Sequence, residues 1–235
     1  MLEILTPAFW LAVGQIILID ILLGGDNAVV IALACRGLPK QQRKLGIIYG
    51  TAGAIVLRVI LIAFALALLA IPYLKVVGGL LLVWIGVKLL LPPGDEDDHA
   101  SVASSDKLWG AVKTVIVADL VMSVDNVLAI AGAAENAGQH QLFLVIFGLI
   151  VSIPIIVAGS QLVLKLMDRF PIIITLGGML LGWIAGHMIF TDPALHAHLP
   201  DSKVWEYGFA VAGALLVLVL GKGLAARREG SSEAA

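Results

Sequence analysis

Seven stretches of this chain stay apolar for long enough to cross about 30 Å of hydrocarbon. They are Ala8–Ala34, Leu45–Ala70, Pro72–Leu91, Trp109–Ala133, Leu142–Leu166, Pro171–Phe190 and Val204–Leu224. Inside lipid every backbone N–H and C=O must be satisfied by the protein itself, which leaves helices or closed barrels. The runs are continuous rather than alternating, so they read as helices. The expected fold is an all-α membrane protein with seven transmembrane helices, forming a single membrane domain over residues 1–235. Composition agrees, with 60% apolar and 14% charged residues, where a soluble domain has about 25% charged. The balance excludes a cytosolic enzyme and a disordered chain. A net charge of −2 gives no electrostatic basis for a nucleic-acid partner, so the expected surroundings are the lipid bilayer. Cys35 is the only cysteine, which excludes an internal disulfide framework and any CxxC site. No GxxxxGK[ST] loop is present, so ATP is not bound in the P-loop manner. The opening Met-Leu-Glu-Ile-Leu lacks the basic segment of a secretory signal, and the first run is expected to be a retained span.

Lys and Arg placement sets the expected orientation. With the N-terminus outside, the inner segments and helix ends hold Arg36, Lys40, Arg43, Lys44, Lys88, Lys107, Lys113, Lys165, Arg169, Lys222, Arg227 and Arg228. The outside keeps Lys75 and Lys203, and Arg58 falls within the second span. Twelve against two predicts a cytoplasmic C-terminus in a multi-pass protein of the plasma membrane. Trp10, Trp109 and Trp205, near span ends, read as interfacial anchors. The longest polar connection, about 92–108, carries the acidic run Asp95–His99, which reads as a solvated cytoplasmic linker.

The chain also repeats itself at an offset of 99 residues. Pro72 matches Pro171, Gly78-Gly79 matches Gly177-Gly178, Leu81-Leu82 matches Leu180-Leu181, and Trp84-Ile85 matches Trp183-Ile184. The same offset places Asp20 on Asp119, Asp26 on Asp125 and Asn27 on Asn126. Gly50 and Gly148 align the second and fifth spans at an offset of 98. The expected organisation is a first repeat over about 8–91, a second over about 109–190, and a seventh helix over about 204–224. Three spans per repeat is odd, so the second repeat enters the membrane from the opposite side. Inverted repeats of this kind are the architecture of many secondary transporters.

A carboxylate near the bilayer centre is costly, about 2.5–3.5 kcal/mol on insertion scales. Four lie near the middle of spans here: Asp20 and Asp26 in the first, Asp119 and Asp125 in the fourth. Each pair is separated by about 9 Å along its axis. In antiparallel spans Asp20 falls at the depth of Asp125, and Asp26 at the depth of Asp119. On an ideal helix Asp26 lies about 120° around from Asp20. Either it faces another neighbour or the helix breaks, and Gly24-Gly25 is where a break would be easiest. Together with the amides of Asn27 and Asn126, the carboxylates form an all-oxygen set of candidate metal ligands. Such a set suits a hard divalent cation, Mg²⁺, Ca²⁺ or Mn²⁺. Arg58 alone cannot neutralise four Asp residues, which argues against purely structural ion pairing. His187, at the place of Lys88 in the repeat, reads as an interfacial residue. His196 and His198, with Asp192 and Asp201, read as a solvated outer loop, with a weak exit-side metal site as the sharper alternative.

At these positions the sequence resembles the TerC family of integral membrane proteins, within the wider LysE-like transporter superfamily. The resemblance rests on Asp20-Ile-Leu-Leu-Gly-Gly-Asp26-Asn27, its partner Asp119-Leu-Val-Met-Ser-Val-Asp125-Asn126, and the matching blocks that begin at Gly78 and Gly177. It runs from the first span through the seventh and is similar to the shorter, seven-helix branch. Members are associated with metal-ion homeostasis, and several look like manganese exporters; others were named for tellurite resistance. The resemblance therefore implies Mn²⁺ as cargo and outward movement.

The leading expectation is a secondary transporter exporting a divalent metal cation, with protons as a possible counter-ion and no resident cofactor. Two alternatives stand beside it. One is an exporter of organic cations or amino acids, although four clustered carboxylates suit a single ammonium poorly. The other is a non-transporting membrane scaffold for metal-dependent exported proteins, in which the Asp residues would be dispensable. An enzyme is not expected, since neither a Ser–His arrangement nor an HExxH motif is present.

Overall fold

The structure is a computed structural model that describes residues 7–64, 71–91, 104–135, 141–196, 198–200 and 202–232. Over these residues the chain is helical, with seven long helices and no strand. They are α1 (Pro7–Cys35), α2 (Lys40–Ala63), α3 (Leu74–Leu90), α4 (Ser104–Glu135), α5 (Gln141–Arg169), α6 (Ile172–Phe190) and α7 (Lys203–Ser232). A single turn, Pro193–His196, joins α6 to α7. Each expected span overlaps one of these helices. Four described segments are long and apolar enough to cross a membrane by length and composition: Lys40–Ile62, Ile146–Arg169, Ile172–Phe190 and Lys203–Arg228. The acidic run Asp95–His99 and Asp201 lie outside the described residues. The break allowed for at Gly24-Gly25 does not occur, because α1 runs unbroken through both glycines.

Large apolar side chains cover the outside of the bundle. Val77, Leu80, Leu162, Leu176 and Val219 are all more than half exposed, a surface that water would disfavour and lipid accepts. Trp10, Trp109 and Trp205 are likewise exposed, and Trp109 stacks on Tyr49 with ring centroids 6.2 Å apart. The main interior cluster takes Ile31 and Leu33 from α1, Leu82 from α3, Val115 from α4, Ile156 from α5 and Leu181 from α6, and a smaller one gathers around Leu61.

Apart from α6 and α7, helices that follow one another in the chain are not the main partners. The principal contacts are α1 with α5, α2 with α4, α3 with α6, and α6 with α7, while α1 also meets α4. Glycines allow these approaches. A β-carbon at Gly50 would lie 2.9 Å from Val115, and one at Gly53 would lie 2.5 Å from Ile116. Residue numbers rise together along this contact, so α2 and α4 run parallel. Gly79 abuts Ile189 and Gly178 abuts Leu90, so α3 and α6 run antiparallel. These two contacts exchange under the 99-residue offset. The α6–α7 approach is closer still. Gly182 lies against the backbone of Gly213, and Gly186 against the carbonyl of Phe209; only small residues permit backbones to come so near.

The helix ends sort onto two sides. Arg36 donates from Nη2 to the carbonyl of Leu91 at 2.8 Å, just past the end of α3. Arg43 donates to the carbonyls of Leu38 and Arg36, past the end of α1, and pairs with Asp168 at the end of α5 at 2.7 Å. A cation beside the final carbonyls of a helix is favoured by the helix dipole. One arginine-rich side therefore gathers the ends of α1, α3 and α5. On the other side, the carboxylate of Asp192, just past α6, accepts the backbone N–H of Lys75 at 3.0 Å and of Val76 at 3.4 Å. These groups belong to the first turn of α3, which has no side-chain cap from its own segment and is entered through Tyr73 at φ 61°.

Candidate functional site

The α2–α4 contact carries charge into the middle of the bundle. Asp119 and Ser123 are one turn apart on α4 and share a face. Arg58 reaches them from α2. Its Nη2 donates to Asp119 Oδ1 at 2.5 Å and its Nε to Ser123 Oγ at 3.1 Å, while the Ser123 hydroxyl donates to Asp119 Oδ2 at 3.0 Å. Both carboxylate oxygens are thus engaged. Arg58 is 2% exposed and Asp119 6%. A buried charge persists only when it is paired and hydrogen-bonded, and removing one member of such a pair costs about 3–5 kcal/mol.

Asp26 lies on α1, which packs against both α4 and α2. One of its carboxylate oxygens accepts the backbone N–H of Asn27 at 2.8 Å. Asn27 is 3% exposed, yet among the described residues neither its amide oxygen nor its amide nitrogen has a hydrogen-bond partner. Leaving a buried amide unsatisfied costs about 1–3 kcal/mol, so an orphan of this kind calls for an explanation. A coordinated cation would engage the amide oxygen. On α2, two turns before Arg58 and on the same face, Thr51 Oγ1 is also buried without a partner among the described residues.

Of the six candidate ligands, Asp119 is paired with Arg58 between α4 and α2, and Asp26 and Asn27 lie on α1, which packs against α4. Asp20 lies on α1, and Asp125 and Asn126 lie on α4; their side chains lie outside the described residues. Among the described residues, no three His, Cys, Asp or Glu side chains gather as a metal cluster. The described part of the site is two carboxylates, one orphan amide and one guanidinium. Ser123 and Thr51 were not singled out by sequence reasoning. Ser123 is legible in hindsight as the hydroxyl at i+4 from Asp119. Thr51 carries no local signal, and only its burial marks it.

The outer histidines serve packing. His196 sits edge-on to Phe190 with centroids 5.1 Å apart. Asp192 is fully buried and occupied by backbone N–H groups, those of α3 and that of Ala194 at 2.9 Å. His187 Nδ1 lies 3.4 Å from Glu206.

Lipid-facing helices around a buried Arg58–Asp119 pair define a multi-pass membrane protein with charge placed at its core. The chain belongs to the TerC family of integral membrane proteins, whose family model matches residues 5–229. It is 44% identical over 177 residues to the uncharacterized membrane protein YjbE of Bacillus subtilis, covering 75% of this chain and 78% of that one. It is 30% identical over 225 residues to YceF of the same organism, also an uncharacterized membrane protein, covering 92% and 84%. It is 24% identical over 180 residues to the inner membrane protein YgdQ of Escherichia coli, covering 70% and 74%. No solved structure matches.

Proposed function

We propose that this protein is a secondary transporter of the plasma membrane that exports a hard divalent cation, Mn²⁺, from the cytoplasm in exchange for protons. The observation that carries the reading is the buried, arginine-paired Asp119 of α4 together with the Asn27 amide of α1, which is buried with no partner among the described residues, on two helices that pack against each other. Membership of the TerC family supports a transport role. The chemistry of the donors supports the cargo, since carboxylate and amide oxygens without Cys or His suit hard cations.

The packing supports two inverted three-helix repeats followed by a seventh helix. Exchanging α1–α3 with α4–α6 converts the α1–α5 contact into the α4–α2 contact and returns the α3–α6 and α1–α4 contacts to themselves. The repeat-related α3 and α6 run antiparallel, as inversion requires. Charged sites at the interface of inverted repeats are where such transporters bind cargo. The arginine-rich side is the cytoplasmic one by the positive-inside rule, which puts the N-terminus outside.

Carboxylates in this setting act both as ligands and as proton acceptors. Only the ionised group is a good ligand, so cation arrival expels a proton and reprotonation from outside releases the cation. The test is Mn²⁺ flux by purified protein in liposomes. Asp26→Asn keeps shape and removes charge, so flux should be lost while the protein remains folded. Flux should also be matched by proton counterflow and fall as protons compete with the cation for the same carboxylates at lower pH. Wild-type flux in Asp26→Asn would overturn the site, and flux without proton movement would overturn the antiport step.

A further inference from the structure

The Arg58–Asp119–Ser123 group blocks one of the proposed ligands. With Arg58 on Oδ1 and Ser123 on Oδ2, both oxygens of Asp119 already accept a hydrogen bond, and a cation drawing on them must compete with the guanidinium. The group is also one-sided. At the repeat offsets, the counterpart of Arg58 is Ile156 and that of Ser123 is Gly24. The half of the molecule that contains Asp20 therefore has neither the guanidinium nor the hydroxyl at the matching positions. A pair needed only to hold α2 against α4 would serve α5 against α1 equally well, yet among the described residues α1 and α5 pack closely without one, Gly159 of α5 lying against Ala28.

We infer that Arg58 is a tethered counter-cation that occupies Asp119 between transport events and exchanges with the cargo. The inference rests on the proposed export function. Its chemistry is competition between two cations for one carboxylate. A guanidinium on a flexible stem fits a carboxylate fork with well-aligned hydrogen bonds, and it can leave by side-chain rotation while α2 stays in place. A divalent ion arriving at Asp26 and Asn27 completes its oxygen shell by taking Asp119, which Arg58 must release. When the ion departs, Arg58 returns and neutralises the carboxylate, so the empty protein does not carry an uncompensated buried charge. The tether weakens binding by the fraction of molecules in which Asp119 is open. In return it speeds release and makes the two halves of the repeat unequal.

The experiment measures Mn²⁺ affinity of the full-length protein in detergent, by titration followed with electron paramagnetic resonance of free Mn²⁺, alongside Mn²⁺ flux in liposomes. Wild type and Asp26→Asn come first. If wild type does not bind Mn²⁺, or Asp26→Asn binds equally well, the export reading fails irrespective of Arg58. With that reading standing, Arg58→Lys retains the positive charge and loses the fork. Displacement predicts affinity about 10-fold tighter or more, with KM lowered and maximal flux reduced. Arg58→Gln should move both quantities further in the same direction. Ser123→Ala, a small change that removes one of the two bonds holding Asp119, should tighten binding to a lesser degree and keeps the test open if Arg58→Gln does not fold. Unchanged affinity in Arg58→Lys would show that the guanidinium acts only through space and would overturn the tether. Weaker binding in Arg58→Lys and Ser123→Ala would make the group a structural brace and overturn it equally.

Discussion

The buried carboxylate of Asp192 provides a quantitative test of how the two halves of the bundle are joined. It caps the first turn of α3 from 117 positions away in sequence, and it is fully buried. Asp192→Ala would remove the acceptor of the Lys75 and Ala194 N–H groups, at 3.0 and 2.9 Å, and of the longer Val76 contact at 3.4 Å. A hydrogen bond to a charged group contributes about 1.5–3 kcal/mol. Two good bonds, discounted because water can enter the space left by the side chain, give a loss of about 3–4 kcal/mol. For a chain of this size 1 kcal/mol moves the melting temperature by about 2–4 °C, so Asp192→Ala should melt roughly 10 °C below wild type. Asp192→Asn keeps one acceptor oxygen and loses the charge that favours a helix N-terminus. It should cost about 1–2 kcal/mol, or roughly 3–6 °C. The assay is thermal unfolding of purified protein in detergent, followed by intrinsic tryptophan fluorescence. An Ala variant within about 2 °C of wild type would refute the reasoning, because the α3 cap would then be dispensable. An Asn variant as damaged as the Ala variant would refute the division between acceptor and charge.

Two further outcomes follow from the same coordinates. Gly186→Ala places a methyl group against the carbonyl of Phe209, and because the obstacle is backbone the loss should lie at the upper end of the roughly 1–3 kcal/mol seen for overpacking. Gly223→Ala on α7 meets open space and should be neutral or stabilising by up to about 1 kcal/mol; equal melting of the two variants would refute the α6–α7 packing. For orientation, Cys35 is buried, so Lys203→Cys and Lys40→Cys each supply one exposed thiol. An impermeant maleimide added to intact cells should label the first and not the second, and the reverse pattern would invert the proposed topology.

Much of this protein was legible in the residues because lipid makes sequence rules strict. Backbone groups cannot be left open in hydrocarbon, so uninterrupted apolar runs such as Pro171–Phe190 translate directly into helices, here α6 at Ile172–Phe190. The repeat was legible because Pro, Gly-Gly and Trp in register do not arise from apolar composition, and the intramembrane Asp residues stood out because burying them is costly. Local sequence could not say whether Gly24-Gly25 would break α1. Glycine permits a break without requiring one, and α1 runs through both residues. Nor could it say which Asp would meet Arg58. That choice depends on α2 lying parallel to α4 at the Gly50 and Gly53 approaches, a contact between helices far apart in the chain. The orphaned Asn27 amide and the buried Thr51 hydroxyl belong to the same class of fact. Whether a polar atom has a partner is a property of everything packed around it, and only the tertiary structure decides it.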